Sequence, residues 1–191
     1  MKEIFIEMGQ GLISKGLTTD FTVYTSCLHT CTLIAVIGKK KFGAYHYPCI
    51  GDRDKTKTKY IDIIKCLERL RKEVDPNQVV LTFAKGMGMG MGGTPDHDKE
   101  FLKKFFSKCE ISEGSASASY AQFKDGKLSG GNCANLNRIG LKGINGAIDL
   151  SKFKASPINL PIQLFGKNLE IKTTNSCSSS DEEEKVKGDD K

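Results

Sequence analysis

A predicted β-hairpin constrains the fold of this chain more than any other feature. The run "CTLIAVI", which starts at Cys31, is rich in β-branched and apolar residues, and "KFGAYHY", which contains His46, is its expected return strand. A two-residue turn centred on Gly38 and Lys39 would place Cys31 directly opposite His46. A four-residue turn would shift the pairing by two and keep both on one face, whereas a three-residue turn would separate them.

A thiol that faces an imidazole has a chemical use. Because a free thiol has a pKa of about 8.5, only a small fraction is thiolate at neutral pH. An imidazole within hydrogen-bond reach can take the proton, and the thiolate can then attack a carbonyl carbon. The spacing alone leaves two interpretations open. Cys31 and His46 are either a catalytic pair, or a small core residue and a hydrogen-bonded histidine at the rim of the core.

Two helices are predicted after the hairpin. Apolar residues recur at helical spacing after Thr58, which can serve as the N-cap, and the helix should end before Asp75. A second helix should begin with Thr94 as cap and Pro95 at its first helical position. Its core stripe should consist of Phe101, Leu102, Phe105 and Phe106.

Further strands are predicted between and after these helices. Residues 78–84 read as a buried strand, and residues 114–123 and the run "KLSGGN" read as strands around a turn at "KDG". The order of elements predicts an α+β fold, a layered sandwich of mixed or antiparallel β-sheet with flanking helices.

Composition indicates one ordinary domain and limits the kinds of partner. The 191 residues are 38% hydrophobic and 27% charged, which is typical of a soluble globular protein. We expect one domain over residues 1–172 and a disordered acidic, serine-rich tail over 173–191. No apolar run is long enough for a membrane helix, and the net charge of +6 comes with dispersed lysines, so neither a membrane nor a nucleic acid is an expected partner. Seven irregularly spaced cysteines indicate reduced thiols in a cytoplasmic setting.

Between "VYTSCLHTC" and "GAYHYP" the sequence resembles the CheD chemoreceptor glutamine deamidases. In that family a threonine precedes a nucleophilic cysteine, and a "G-x-x-H" motif follows the next strand. Thr25, Cys31 and His46 fall in that order here. The Cys-to-His interval is similar to that of the catalytic domain of cytotoxic necrotizing factor, a toxin deamidase. The likeness spans most of residues 1–130, although only these three residues form a tight motif.

The resemblance implies both a fold and a reaction. The fold would be that of the CheD and cytotoxic necrotizing factor catalytic domains. The reaction would be deamidation of a reactive glutamine in a protein substrate, with Cys31 as nucleophile, His46 as general base and acid, and Thr25 as the residue that orients the imidazole. No cofactor is implied, a monomer is expected, and the enzyme would act in the cytoplasm of its own cell or of a host cell. Cys27 is a competing nucleophile, and a non-catalytic protein-binding module with the same fold is the alternative function.

The glycine-rich loop "KGMGMGMGG" has two interpretations. It lacks the Gly-Lys-Ser/Thr ending of a phosphate-binding loop. It is either a flexible connection or a wall of the active-site pocket. In the second case Gly88, Met89, Gly90 and Met91 would line the pocket, because glycine lets backbone N–H groups approach a polarised carbonyl and methionine supplies adaptable apolar contact.

A zinc site is the other chemistry that the cysteines suggest. Cys27, His29 and Cys31 alternate along one segment, and His46, Cys49 or His97 could complete a ligand set. Structural zinc sites usually take paired ligands from two segments, and no second pair is present. The sequence therefore does not favour a metal site.

Overall fold

The computed structural model describes residues 2–18, 20–25, 28–50, 58–86, 92–116, 119–132 and 161–166. The predicted α+β class is confirmed for this part of the chain, which forms two mixed sheets and two helices. In chain order the elements are β1 (Lys2–Phe5), β2 (Gln10–Ser14), β3 (Phe21–Thr25), β4 (Thr32–Gly38), β5 (Phe42–Tyr47), α1 (Thr58–Val74), β6 (Pro76–Ala84), α2 (Asp96–Phe105), β7 (Glu110–Ala116), β8 (Ser119–Lys124), β9 (Lys127–Asn132) and β10 (Ile162–Gly166). The predicted tail, residues 173–191, lies outside the described residues, as does the loop 87–91.

The strands form two mixed sheets. One sheet has four strands in the order β1-β3-β8-β9, and the other has six in the order β10-β2-β5-β4-β6-β7. The pairs β1-β3 and β6-β7 are parallel, and the other neighbouring pairs are antiparallel. Strand β4 therefore lies inside the larger sheet, between β5 and β6.

The six-stranded sheet is covered on both faces. All seven residues of β4 are buried, which is expected of a strand with no solvent-facing side. Leu33 and Ala35 belong to the core between the two sheets, whereas Ile34 and Val36 belong to the core beneath the helices. Because successive side chains of a strand point to opposite faces, this alternation identifies one face as inter-sheet and the other as helix-facing.

The hairpin has a four-residue turn. The prediction of a two-residue turn centred on Gly38 and Lys39 is therefore wrong. Ile37 pairs with Phe42, and the Gly38 N–H donates to the Lys41 carbonyl at 2.9 Å. The residue opposite His46 is therefore Leu33 rather than Cys31. The Val74 and Asp75 carbonyls lie against Gly38, where a Cβ atom would meet them at 2.1 and 2.6 Å.

The two helices occur where the sequence predicts them. Helix α1 ends at Val74, directly before Asp75, and α2 begins directly after Pro95. The predicted stripe of α2 is confirmed, because Leu102 and Phe106 are buried and Phe101 and Phe105 pack against the same core. None of the described helices is long and apolar enough to cross a membrane.

Two local predictions are wrong. Residues 114–123 do not form one strand: β7 ends at Ala116 and pairs with β6 in the larger sheet, whereas β8 begins at Ser119 and pairs with β3 in the smaller one. The run "GSASAS" carries no sequence signal for a change of sheet.

Thr94 is not the cap of α2, since Pro95 occupies that position and the Thr94 hydroxyl bonds to β6 instead.

A close approach between β5 and α1 gives a test of this packing. A Cβ atom on Gly43 would lie 2.6 Å from Leu70 Cδ1 and 3.0 Å from Val74 Cγ2, so Gly43→Ala forces these two side chains of α1 to shift. We expect it to lower the free energy of unfolding by about 1–3 kcal/mol. The matched control is Gly114→Ala, because a Cβ atom there meets nothing within 4 Å. Urea denaturation measures both, and equal stabilities of the two variants would contradict this packing of α1.

Candidate active site

Thr25 and His46 join the two sheets at one end of the sandwich. Thr25 is the last residue of β3 in the four-stranded sheet, and His46 lies in β5 of the six-stranded sheet. Thr25 Oγ1 lies 2.5 Å from His46 Nδ1, and both side chains are buried. The threonine that the resemblance assigns as orienter thus contacts the imidazole through its side chain.

The second ring nitrogen of His46 is a buried polar atom. His46 is only 2% exposed, and its Nε2 atom makes no hydrogen bond to any residue that the structure describes. An unsatisfied buried polar group costs about 1–3 kcal/mol, so such groups are uncommon and call for an explanation. If Nδ1–H donates to Thr25 Oγ1, then Nε2 is the basic nitrogen and is free to accept a proton.

Burial keeps this imidazole neutral. Desolvation lowers the pKa of His46 to about 4, and the main-chain carbonyl of Ile6 opposes the shift only in part. At pH 7 the ring is therefore a neutral acceptor. A neutral imidazole can accept a proton, but a pKa of about 4 makes His46 a weaker base at pH 7 than a general base whose pKa lies near 7.

The backbone of Cys31 extends the ladder between β4 and β6. The Ala84 N–H donates to the Cys31 carbonyl at 3.2 Å, so these two residues continue the pairing of Thr32 with Phe83. The side chains of Cys31 and Ala84 pack together in a small cluster with Leu28.

This pairing indicates which face of the sheet the thiol occupies. Ala84 lies two residues beyond Thr82, which pairs with Leu33, so strand alternation puts Ala84 on the inter-sheet face. Regular alternation would put Cys31, which pairs with Ala84, on that face with His46, but Asp98, which raises the pKa of Cys31, and Tyr45, whose pKa the Cys31 thiol raises, lie on the helix-facing side. Because His46 pairs with Leu33, Cys31 is its diagonal neighbour, at a Cα separation of about 7–8 Å.

The thiol is not ionised in this arrangement. Burial raises the pKa of Cys31, and the charge of Asp98 raises it further, although hydrogen bonds from the Cys49 and Thr30 backbone and the Thr30 hydroxyl oppose the shift. Cys31 is 5% exposed, and the unpartnered Nε2 atom of His46 makes no bond to its sulfur. The structure therefore holds Cys31 as a neutral thiol and His46 as a neutral imidazole, and no hydrogen bond joins the two side chains.

Thr94 belongs to the site, although its place in the sequence predicted a helix cap. Its hydroxyl donates to the Cys31 carbonyl at 3.1 Å and accepts from the Ala84 N–H at 2.8 Å. It also lies 3.3 Å from Thr32 Oγ1. Thr94 thus fixes the main chain at the candidate nucleophile, and its position directly before Pro95 concealed this because that pattern is typical of a helix cap.

Asp98 is a second such residue, and it lies on the helix-facing side of the site. Its carboxylate is buried and accepts hydrogen bonds from the Tyr47 hydroxyl at 2.6 Å, the Cys49 thiol at 2.9 Å and the Ile50 N–H at 3.2 Å. His97 Nε2 lies 3.2 Å from the same carboxylate. The sequence carried a signal for it, because an acidic residue occurs on the apolar stripe of α2, one turn before Leu102.

The remaining candidate residues fall partly outside the described chain. Gly88, Met89, Gly90, Met91 and Cys27 lie in the undescribed ranges 87–91 and 26–27. The end of the glycine-rich loop is described, and there the Gly93 N–H donates to the carbonyl of His29 at 2.6 Å. This contact ties the loop to the segment that precedes the candidate nucleophile.

Two other features bear on what the protein could bind. Among the residues that the structure describes, no group of three or more His, Cys, Asp or Glu side chains is arranged to hold a metal ion. A groove of about 220 Å³ lies between β6, β7 and β9, and its lining includes Thr82, Gly114 and Gly130 but neither Cys31 nor His46.

Comparison of the chain with protein-family models, with curated proteins and with solved structures gave no match.

The buried imidazole predicts a pH dependence of stability. Its pKa falls from 6.5 in the unfolded chain to about 4 in the folded protein, so the unfolded chain binds more protons between these values. Stability should therefore fall as the pH is lowered through this window. The contribution of His46 amounts to about 2 kcal/mol between about pH 7.5 and pH 5.

Urea denaturation at both pH values checks this contribution in His46→Gln. The variant should lose less stability on acidification than the wild type, because glutamine does not titrate. His29→Gln is the matched control, since His29 is exposed. A His46→Gln variant that keeps the pH dependence of the wild type would show that the imidazole is not buried in the neutral form.

Proposed function

We propose that the protein is a cysteine-dependent amidohydrolase, and that its reaction is the deamidation of a glutamine side chain in a protein substrate. The observation that carries the proposal is the His46 imidazole: Thr25 holds one ring nitrogen, and the other is buried and makes no hydrogen bond within the described part of the chain. A purely structural histidine would be expected to satisfy both nitrogens. A general base must keep one nitrogen free for the proton that it accepts.

The roles of the three residues follow from their positions. His46 Nε2 takes the proton of the Cys31 thiol, and the thiolate attacks the carbonyl carbon of the glutamine side chain. The imidazolium returns the proton to the leaving nitrogen, ammonia departs and a thioester remains. A water molecule that gives its proton to His46 then hydrolyses the thioester, so the products are glutamate and the restored thiol. A primary amine in place of water would give transglutamination.

A side-chain movement at Cys31 would bring the two reacting groups together. Diagonal neighbours on one sheet face are within reach of long or aromatic side chains, and an imidazole extends several bonds from its Cα atom. Thr94 fixes the Cys31 carbonyl, so the nucleophile can change its rotamer without displacement of its backbone. The expected motion is a change of the Cys31 χ1 angle, which would carry the thiol toward His46 Nε2.

The finer parts of the proposal rest on the resemblance as well as on this geometry. The fold would be that of the CheD and cytotoxic necrotizing factor catalytic domains, and the substrate would be a protein with a reactive glutamine. Cytoplasmic action fits Cys31, Cys66 and Cys109, which form no disulfide within the part of the chain that the structure describes.

A non-catalytic protein-binding module is the second candidate function. One observation favours it: Cys31 is 5% exposed and its pKa is raised, which is typical of a cysteine that serves as a small core residue. In that case Cys31→Ala would change stability and leave the biological function intact.

Mass spectrometry of a cell lysate incubated with the protein distinguishes the two functions. The wild type should convert specific glutamine residues to glutamate, and Cys31→Ala should reduce the rate by at least about 10³-fold, because the nucleophile is lost. Cys66→Ala is the matched control, since this free, half-buried thiol lies in α1. Deamidation that persists in Cys31→Ala, or that is absent from the wild type across lysates, would contradict the proposed reaction.

The Thr25 hydroxyl gives an independent test of the orienting contact. Thr25→Val keeps the shape of the side chain but cannot bond to Nδ1, so we expect deamidation to slow by about tenfold or more. Thr25→Ser retains the hydroxyl and should stay within a fewfold of the wild-type rate. Equal rates for the valine and serine variants, measured as ammonia release, would mean that a backbone group rather than this side chain orients the imidazole.

A further inference from the structure

The layer between the two sheets is left open where β7 lies across from β9. Ser112 and Gly114 of β7 pair with Val80 and Thr82 of β6. These four residues belong to the inter-sheet face, since their β6 partners lie beside the inter-sheet residues of β4. A groove of about 220 Å³ lies between them and residues 128–130 of β9. The small residues that β7 turns toward this groove leave the space between the sheets unfilled.

The size and the lining of the groove favour a side chain over a whole small molecule. Pockets that enclose a drug-sized ligand typically measure about 300–1,000 Å³, and this groove is smaller. Val80 and Leu128 supply apolar contact, because both pack against the inter-sheet core. The groove can therefore hold an apolar side chain of a peptide.

Strand β7 is the edge of the six-stranded sheet beside this groove. One side of its main chain pairs with β6, and the other side faces no strand of the described chain. Five of its seven residues are exposed, and only Ala116 is buried. An exposed edge strand presents main-chain donors and acceptors with which an extended peptide can pair. Alternate side chains of such a peptide would then point into the groove.

A carboxylate on the same face of β7 selects the kind of peptide. Glu110 pairs with Gln78, which pairs with Ile37 of the inter-sheet core. Glu110 therefore lies on the face of β7 that carries Ser112 and Gly114. Its exposed side chain accepts from the neutral Gln78 amide at 3.0 Å, a contact that does not neutralise its charge. A lysine or arginine of the peptide, four residues from the side chain over Gly114, would meet this charge.

A second copy of this chain is a poor occupant of the same edge. Strand β7 carries Glu110 and Glu113 and no basic residue. Two β7 strands paired edge to edge would bring four carboxylates together, and like charges on facing strands are destabilising. Lys103 of α2 pairs with Glu113 at 2.8 Å, whereas Glu110 contacts a neutral amide. The charge of this edge therefore complements a basic segment of a different protein.

We propose that β7 and the groove beside it bind an extended segment of a partner protein, which adds a seventh strand to the larger sheet. An apolar side chain of the segment occupies the space over Gly114, and a lysine or arginine four residues away pairs with Glu110. The inference goes beyond the proposed reaction, because a deamidase would hold its substrate in this way and a binding module its partner. Its test measures binding alone, so the two proposals can fail separately.

The experiment selects nine-residue peptides from a random phage-displayed library, with the full-length protein as bait. The enriched peptides are synthesised, and their Kd values are measured by fluorescence anisotropy. They should carry an apolar residue and a lysine or arginine four positions apart. Saturation with such a peptide should slow the amide hydrogen exchange of residues 110–116, because an added strand protects the edge.

Gly114→Val blocks the groove. A Cβ atom at Gly114 meets nothing within 4 Å, and valine suits a strand, so the variant should fold. Its branched side chain takes the space of the peptide side chain, and the Kd should rise by about tenfold or more. Gly16→Val is the matched control, because a Cβ atom there also meets nothing within 4 Å and Gly16 lies between β2 and β3. It should keep the wild-type Kd.

Glu110→Gln tests the charge of the edge. It keeps the shape of the side chain, and the Kd should rise by about threefold at low salt, which is typical of an exposed ion pair. The difference from the wild type should disappear at high salt, because exposed charges are screened there. Glu100→Gln is the matched control, since Glu100 is an exposed carboxylate of α2.

Each outcome decides the proposal. Unchanged exchange of β7, an equal Kd for the wild type and a folded Gly114→Val, or a library that yields no peptide would overturn it. If Gly114→Val does not fold, an equal Kd for Glu110→Gln and the wild type at low salt would overturn it, and a higher one would support it. Protection of β7 that grows with protein concentration in the absence of peptide would assign the edge to a second copy and refute the proposal. Peptide binding together with a lack of deamidation would leave the groove intact and refute the proposed reaction.

Discussion

The contact between Thr25 and His46 links the two sheets at the end of the sandwich where the candidate site lies. The Thr25 hydroxyl bonds to Nδ1 of the ring, and Nε2 is buried without a hydrogen bond to any described residue. The same burial holds the imidazole in its neutral form, because an imidazolium in this position would lose its hydration. Cys31 is the diagonal neighbour of His46 by strand register, so Nε2 is the candidate acceptor for the proton of its thiol.

Around this contact, two buried polar side chains fix the main chain. The Thr94 hydroxyl bridges the Cys31 carbonyl and the Ala84 N–H, and the Asp98 carboxylate holds residues 47–50. Thr94 lies just before α2 and Asp98 lies in its first turn, so the start of this helix supplies both polar groups. A site that is supported in this way keeps its backbone geometry while a side chain moves.

An element of the fold could be predicted from the sequence when the interactions that form it join residues close together in the chain. The hairpin around "GKKK" was predicted from β-branched residues, and α1 and α2 from their apolar spacing, because these patterns depend on residues close in sequence. The turn length was not predicted, since it depends on how Gly38 packs against the end of α1. The division of residues 114–123 between two sheets was missed for the same reason: the pairing partners of β7 and β8 lie far away in the chain.

The sequence by itself determined the α+β class and the hairpin that carries His46, because residue type and spacing are sufficient for these. It offered Cys31 and His46 as one of two interpretations, and Thr25 joined them only through the resemblance to the deamidases. Only the tertiary structure decided that Leu33 faces His46, that the thiol and the imidazole are both neutral at rest, and that Thr94 and Asp98 belong to the site. The physical reason is that register, desolvation and buried hydrogen bonds depend on which distant segments pack together. Local composition does not encode those contacts.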